Sequence, residues 1–161
     1  MADSKATMAK NVRACTPYLV CKNAEKAVQW YKDVLGAKVL GEPYKAQEGQ
    51  FAGKIIHAEI QVGDQNPSVL FICDELGDKN QSPQTLGGTP VSLYFQCEDC
   101  DALYKKCCQA GATSLEKPTD QFWGDRWSLI ADPFGHIWHI ATHQEDVSKE
   151  EMTKRARKMG M

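Results

Sequence analysis

Three short stretches of this sequence carry side chains able to move protons or hold a cation. In Ile55–Val62, His57, Glu59 and Gln61 recur at every second position, the spacing that places all three on one face of a β-strand. In Gly135–Thr142, His139 shares its face with Ile137 and Ala141. Imidazole and carboxylate groups suit general acid–base chemistry near neutral pH or ligation of a divalent ion. His136 directly follows a glycine turn and His143 lies in the outgoing segment, so both are weaker candidates. The third stretch, Cys97-x-x-Cys100 with Cys107-Cys108, is rich in thiols but poorly spaced. Adjacent helical residues point about 100° apart, and a structural zinc needs four donors converging in a tetrahedron. Buried or half-buried thiols are the expectation there.

Around these stretches lies an aromatic set that includes Tyr18, Phe71, Tyr94, Phe95, Phe122, Trp123, Trp127 and Trp138. Such rings could wall a cavity for a flat or apolar ligand, and plain core packing is the equal alternative. Arg126, in Gln121–Arg126, could clamp a carboxylate or phosphonate with both arms, or pair with a surface Asp or Glu.

The elements that must position these groups are written twice. A strand over Arg13–Val20 leads to Asn23, a good N-cap, and to Ala24, Ala27, Val28, Tyr31 and Leu35 at helical spacing. Gly36 ends that helix. A short strand Ala37–Leu40, a loop through Gly49 and Gly53, the strand Ile55–Val62, a turn at Gly63–Asn66 and the strand Val69–Cys73 follow. After a polar linker, Asp74–Gly88, the order repeats. Pro90–Cys97 reads as a strand, Asp99 caps a helix, and Gly111-Ala112 repeats the exit at Gly36-Ala37. Thr113–Leu115, a loop from Lys117 to Asp125, Trp127–Ala131 and Ile137–Thr142 complete the second copy, with Asp132-Pro133-Phe134-Gly135 as a structural turn. Ser148 and Glu151 form a capping box for a short helix, Lys149–Arg157, in the tail.

The expected fold is therefore α+β: two βαβββ modules, 12–75 and 88–146, forming a curved, partly open, barrel-like mixed sheet with helices outside. Residues 1–11 read as an extension and 147–161 as a C-terminal helix and tail. A chain of 161 residues is long enough to bury a substantial core. With 19 basic and 21 acidic residues and no basic stripe, nucleic acid is not an expected partner. Apolar runs are too short for a membrane span, and seven cysteines suit a reducing, cytoplasmic setting.

The stretches TPYLVCKNAEKAVQWYKDVLGAKVLGE, KIIHAEIQVGDQ, LGGTPVSLYFQCEDCDALYKKCCQAGA and DQFWGDRWSLIADPFGHIWHIATHQEDVS, in this order, resemble the glyoxalase/bleomycin-resistance/dioxygenase (vicinal oxygen chelate) superfamily, most of all its PhnB-like branch. The resemblance implies paired modules, a homodimer whose pockets use both subunits, and a small-molecule ligand. It also implies several chemistries, from metal-dependent lyases to drug-sequestering proteins without catalysis, and the fold does not choose among them.

In metal-dependent relatives, ligands occupy symmetric strand positions of the two modules. Counting from Gly36 and Gly111 places the first and third at Thr16 and Ser92, which are poor ligands. The resemblance places the second at Glu59 and the fourth at His139, as equivalent positions. A His57/Glu59/His139 set would resemble a two-His, one-carboxylate site, with Glu59 ligating the metal or taking a proton. The favoured alternative is a metal-free pocket in which His57 and Glu59 hydrogen-bond each other and His139 takes a carbonyl or water. Thr16, Tyr18, His57, Glu59, Gln61, Phe71, Ser92, Tyr94, Trp123, Arg126 and His139 are the expected pocket residues. Binding without a metal is expected ahead of lyase or isomerase chemistry with one.

Overall fold

The structure, a computed structural model, describes residues 15–64 and 66–160. The expected extension 1–11, the start of the first strand at Arg13, and Gln65 of the 63–66 turn lie outside the described residues. The first half contains β1 (Tyr18–Cys21), α1 (Ala24–Leu35), β2 (Lys38–Val39), β3 (Tyr44–Lys45), β4 (Ile55–Val62) and β5 (Ser68–Asp74). A one-turn helix, α2 (Pro83–Leu86), interrupts the linker. The second half contains β6 (Ser92–Gln96), α3 (Cys100–Gln109), β7 (Thr113–Asp120), β8 (Asp125–Ala131) and β9 (Ile137–His143), followed by α4 (Lys149–Lys158).

Each half builds one mixed sheet, and neither sheet closes into a barrel. The first runs β1-β5-β4-β2, with β3 also on β4, and the second runs β6-β9-β8-β7. In both, the opening strand lies parallel to the closing strand, and the remaining pairs are antiparallel. The fold is thus α+β, as the doubled pattern predicts.

Helix α1 forms because Asn23 accepts a hydrogen bond from the Lys26 amide and Gly36, at φ 69°, supplies the left-handed exit. Its buried face, Ala24, Ala27, Val28, Tyr31 and Val34, follows the helical repeat and lies on the first sheet. Asp99 caps α3 in the same way through the Ala102 amide, and α3 lies on the second sheet and against α1. Between the halves sits the fully buried carboxylate of Asp132. It accepts hydrogen bonds from Tyr31 Oη (2.6 Å), Trp138 Nε1 (2.9 Å) and the amides of Phe134 and His136. Burial alone would raise its pKa, but the donors, led by His136, hold it below the ordinary carboxylate value. His136 therefore has a structural place, and Asp132-Pro133-Phe134-Gly135 is a module-joining turn.

The elements differ from the expectation in three places. The linker carries α2, capped by Ser82 and closed by Gly87. β3 lies within the expected loop, paired to β4 at a register shift. β7 runs to Asp120, through residues expected in a loop, because its irregular pairing with β8 tolerates Pro118.

Candidate functional site

The helices cover one face of each sheet and leave the other open. Along β4, Ala58, Ile60 and Val62 are buried under α1, whereas His57, Glu59 and Gln61 are half-buried on the opposite face. Tyr18 is 48% exposed and Tyr94 53%, too open for core residues, which marks this side of both sheets as surface.

Strand register fixes which positions correspond. Tyr18 pairs with Phe71, which pairs with Glu59; Tyr94 pairs with His139, which pairs with Leu129. Tyr18 therefore corresponds to Tyr94, Phe71 to His139, Glu59 to Leu129 and His57 to Trp127. The expectation that Glu59 and His139 are equivalent is corrected here: Glu59 lies on the antiparallel neighbour β4, and the counterpart of His139 on the closing strand is Phe71.

On the first sheet, the His57 ring packs edge-on against Phe71 at 4.7 Å. His57 Nε2 lies 3.2 Å from Glu59 Oε1, and Nδ1 lies 3.2 Å from Tyr18 Oη, which is also 3.0 Å from the Ile56 carbonyl. Burial, with the neighbouring Cys73, pushes the Tyr18 phenol up to about 12, so it stays protonated. Gln61 stands farther along the same face, opposite Val69, and half-buried Thr16 precedes β1.

On the second sheet, Trp127 Nε1 donates to His139 Nδ1 at 3.0 Å, and His139 Nε2 lies 2.9 Å from Ser92 Oγ. Tyr94 stacks beside His139, their centroids 5.9 Å apart and their planes at 22°. The nearly buried Asp125 carboxylate accepts from Tyr94 Oη (2.6 Å) and Trp123 Nε1 (3.0 Å) and lies 2.9 Å from His143 Nδ1. Burial pushes the Tyr94 phenol up to about 12, and Asp125 adds to the rise. Burial also lowers the His139 pKa, favouring its neutral ring.

Arg126 does not belong to this face. It alternates with Trp127 on β8 and reaches α3, where Asp101 takes it through two nitrogens at 2.8 and 2.9 Å, with Asp120 at 3.1 Å. Its guanidinium is thus neutralised by carboxylates of its own chain. The thiols do not converge on a site: burial raises the pKa values of Cys97 and Cys100 and takes Cys107 to about 12. These are poor nucleophiles.

The donor set does not fit a resident metal. His57 and Glu59 stand on one sheet and His139 on the other, and no three His, Cys, Asp or Glu side chains are grouped to hold an ion among the described residues. An indole N–H only donates, so Trp127 commits His139 Nδ1 as an acceptor and the ring's hydrogen lies on Nε2, the atom a metal would need. His139 thus takes Trp127 and Ser92 as partners rather than a carbonyl. Sequence reasoning missed Asp125 and the role of Trp127; aligning β8 on β4, which sets Trp127 against His57, is the signal that could have found the latter.

A separate apolar pocket of about 320 Å³ opens between β1 and the segment entering β6, lined by Tyr18, Pro83, Leu86, Val91, Leu93 and His136 among others. Of the expected pocket residues, Tyr18 lines it.

The sequence model of the Glyoxalase/Bleomycin resistance protein/Dioxygenase superfamily matches residues 12–140. The uncharacterized protein MT0910 of Mycobacterium tuberculosis is 35% identical over 151 residues, covering 91% of this chain and 84% of its own. Among solved structures, the PhnB protein from Bacillus cereus, described as a putative 3-demethylubiquinone-9 3-methyltransferase, superposes with a TM-score of 0.61 at 18% identity, covering 81% of this chain and 99% of that one. The fosfomycin resistance protein FosX from Listeria monocytogenes, solved with Mn(II) and sulfate, gives 0.54 at 20% identity, covering 89% and 97%. At these identities the two structures speak for the fold.

Proposed function

This chain belongs to the glyoxalase/bleomycin resistance protein/dioxygenase superfamily, and we propose that it binds a small molecule against the uncovered faces of its sheets without using a metal ion. The observation that carries this reading is the commitment of His139. Its ring is fixed between Trp127 and Ser92 on a surface of exposed aromatic and polar side chains, an arrangement suited to holding a ligand and unsuited to holding a cation. The proposal assigns ligand binding to residues 12–146 and to a homodimer in which a second copy covers the open faces. An affinity with the PhnB-like branch belongs to the same reading, supported by the likeness to the Bacillus cereus protein. So does a cytoplasmic setting, supported by seven free thiols.

Metal analysis of protein purified without chelator or nickel affinity resin tests this reading. Zinc, nickel and manganese are expected to leave the thermal midpoint of the parent, of Glu59→Gln and of His139→Ala unchanged, because an ion that does not bind the native state cannot stabilise it. Stoichiometric metal that survives dialysis and disappears in both variants would put a metal-dependent lyase or isomerase first, with Glu59 as ligand or base.

A further inference from the structure

We infer that the two open faces have opposite hydrogen-bond polarity, so that the second sheet offers a ligand a donor at Ser92 and the first offers an acceptor at Tyr18. The inference rests on the metal-free binding reading and names the ligand group each face takes: an acceptor oxygen at Ser92 and an O–H or N–H at Tyr18.

On the second sheet the direction follows from chemistry at one end. Trp127 Nε1 can only donate, and it lies 3.0 Å from His139 Nδ1. That nitrogen is therefore the acceptor, and Nε2 carries the ring hydrogen. Nε2 lies 2.9 Å from Ser92 Oγ, so the serine oxygen accepts. The Ser92 hydroxyl makes no other hydrogen bond among the described residues, and Ser92 is exposed. All the hydrogens of the chain point from Trp127 towards Ser92, and its free end is a hydroxyl hydrogen. Aligned hydrogen bonds polarise one another, which makes this terminal donor stronger than an isolated serine.

On the first sheet the direction is set from the opposite end. An ionised carboxylate only accepts, so the contact of His57 Nε2 with Glu59 Oε1 at 3.2 Å requires the hydrogen on Nε2. The single Tyr18 hydrogen then faces two inward acceptors, the Ile56 carbonyl at 3.0 Å and His57 Nδ1 at 3.2 Å. Whichever takes it, the hydrogen is used inside the sheet, so the hydroxyl of half-exposed Tyr18 has only lone pairs left to offer a ligand. Trp127 on one sheet and His57 with Glu59 on the other are positioning residues; Ser92 and Tyr18 are the atoms that touch.

Two measurements test this. Long-range proton–nitrogen NMR of the ligand-free protein at neutral pH should show His139 as the Nε2–H tautomer, and Trp127→Phe should release it to a mixture of both tautomers. Binding titrations with benzoate, phenol and 4-hydroxybenzoate supply the second. Ser92→Ala should weaken benzoate roughly three- to tenfold while sparing phenol, and Tyr18→Phe should do the reverse, each by the worth of one hydrogen bond. A ligand-free His139 in the Nδ1–H form, or Ser92→Ala acting on phenol instead of benzoate, overturns the polarity and leaves the binding reading standing. Failure of all three probes to bind overturns both.

Discussion

His143 stands between two carboxylates, with Nδ1 2.9 Å from Asp125 and Nε2 3.1 Å from Asp146. Hydrogen bonds to Asp125 and Asp146 raise its pKa above the ordinary histidine value. Asp125, despite the upward push of burial, is held low by Tyr94, His143 and Trp123. A raised histidine stabilises the fold below its unfolded pKa and loses that contribution as pH rises through the folded value; a lowered carboxylate loses its contribution as pH falls. Both are present between about pH 4.5 and 6.5. The thermal midpoint of His143→Gln is therefore expected to lie below the parent's near pH 5.5, and the gap to narrow as pH rises above the ordinary histidine value of about 6.5. A constant gap across that rise would show that the imidazolium has no part. At this scale the sequence was partly legible. Period-two spacing in β4 put His57, Glu59 and Gln61 on one face, as found. Trp127 and Asp125 were not legible as partners of His139 and Tyr94, because cross-strand neighbours depend on register, which alternation within one strand does not reveal.

The helix exits and turns were legible wherever a single residue type answers a backbone requirement. Asn23, Asp99 and Ser148 each cap a helix through the side chain, and Gly36 and Gly111 have φ of 69° and 93°. What a glycine's neighbours forbid was not legible. A Cβ at Gly36 would meet nothing within 4 Å, whereas one at Gly124, φ 101°, would run into the Glu145 carbonyl and lie 2.9 Å from Val147 Cγ2. Gly124 also receives the amides of Gln144 and Glu145 on its own carbonyl, so it anchors the segment leading to α4. Gly36→Ala is expected to cost about 1–2 kcal/mol of left-handed strain, and Gly36→Val at least that. Gly124→Ala must in addition displace backbone and should lower the thermal midpoint further than Gly36→Ala. Equal midpoints in calorimetry would mean that the C-terminal segment yields freely.

At the scale of the molecule, the doubled unit was legible because its punctuation repeats: cap, helix, glycine exit and three strands, twice. The join was not, since the contacts that make it, Tyr31 with Asp132 and Trp30 Nε1 with the Ala110 carbonyl at 2.8 Å, connect residues 101 and 80 positions apart. That join packs helix against helix and leaves the other sheet faces open, with Tyr18 and Tyr94 half exposed beside polar partners. A face carrying this much aromatic surface is costly to leave in water, and β1 and β6 each pair on one side only, leaving unpaired edges. In the homodimer proposed above, a second copy related by two-fold symmetry would cover both, because a two-fold contact sets each patch against its complement twice. Light scattering at micromolar concentration should therefore give about twice the chain mass of 17.9 kDa. Replacing Tyr94 with Lys on this face should shift the equilibrium towards monomer, and it should abolish 4-hydroxybenzoate binding in the same samples if the pocket is completed across the interface. A parent mass near 17.9 kDa would sink the dimer. Monomeric Tyr94→Lys that still binds the probe with the parent's affinity would show instead that one chain's open face suffices.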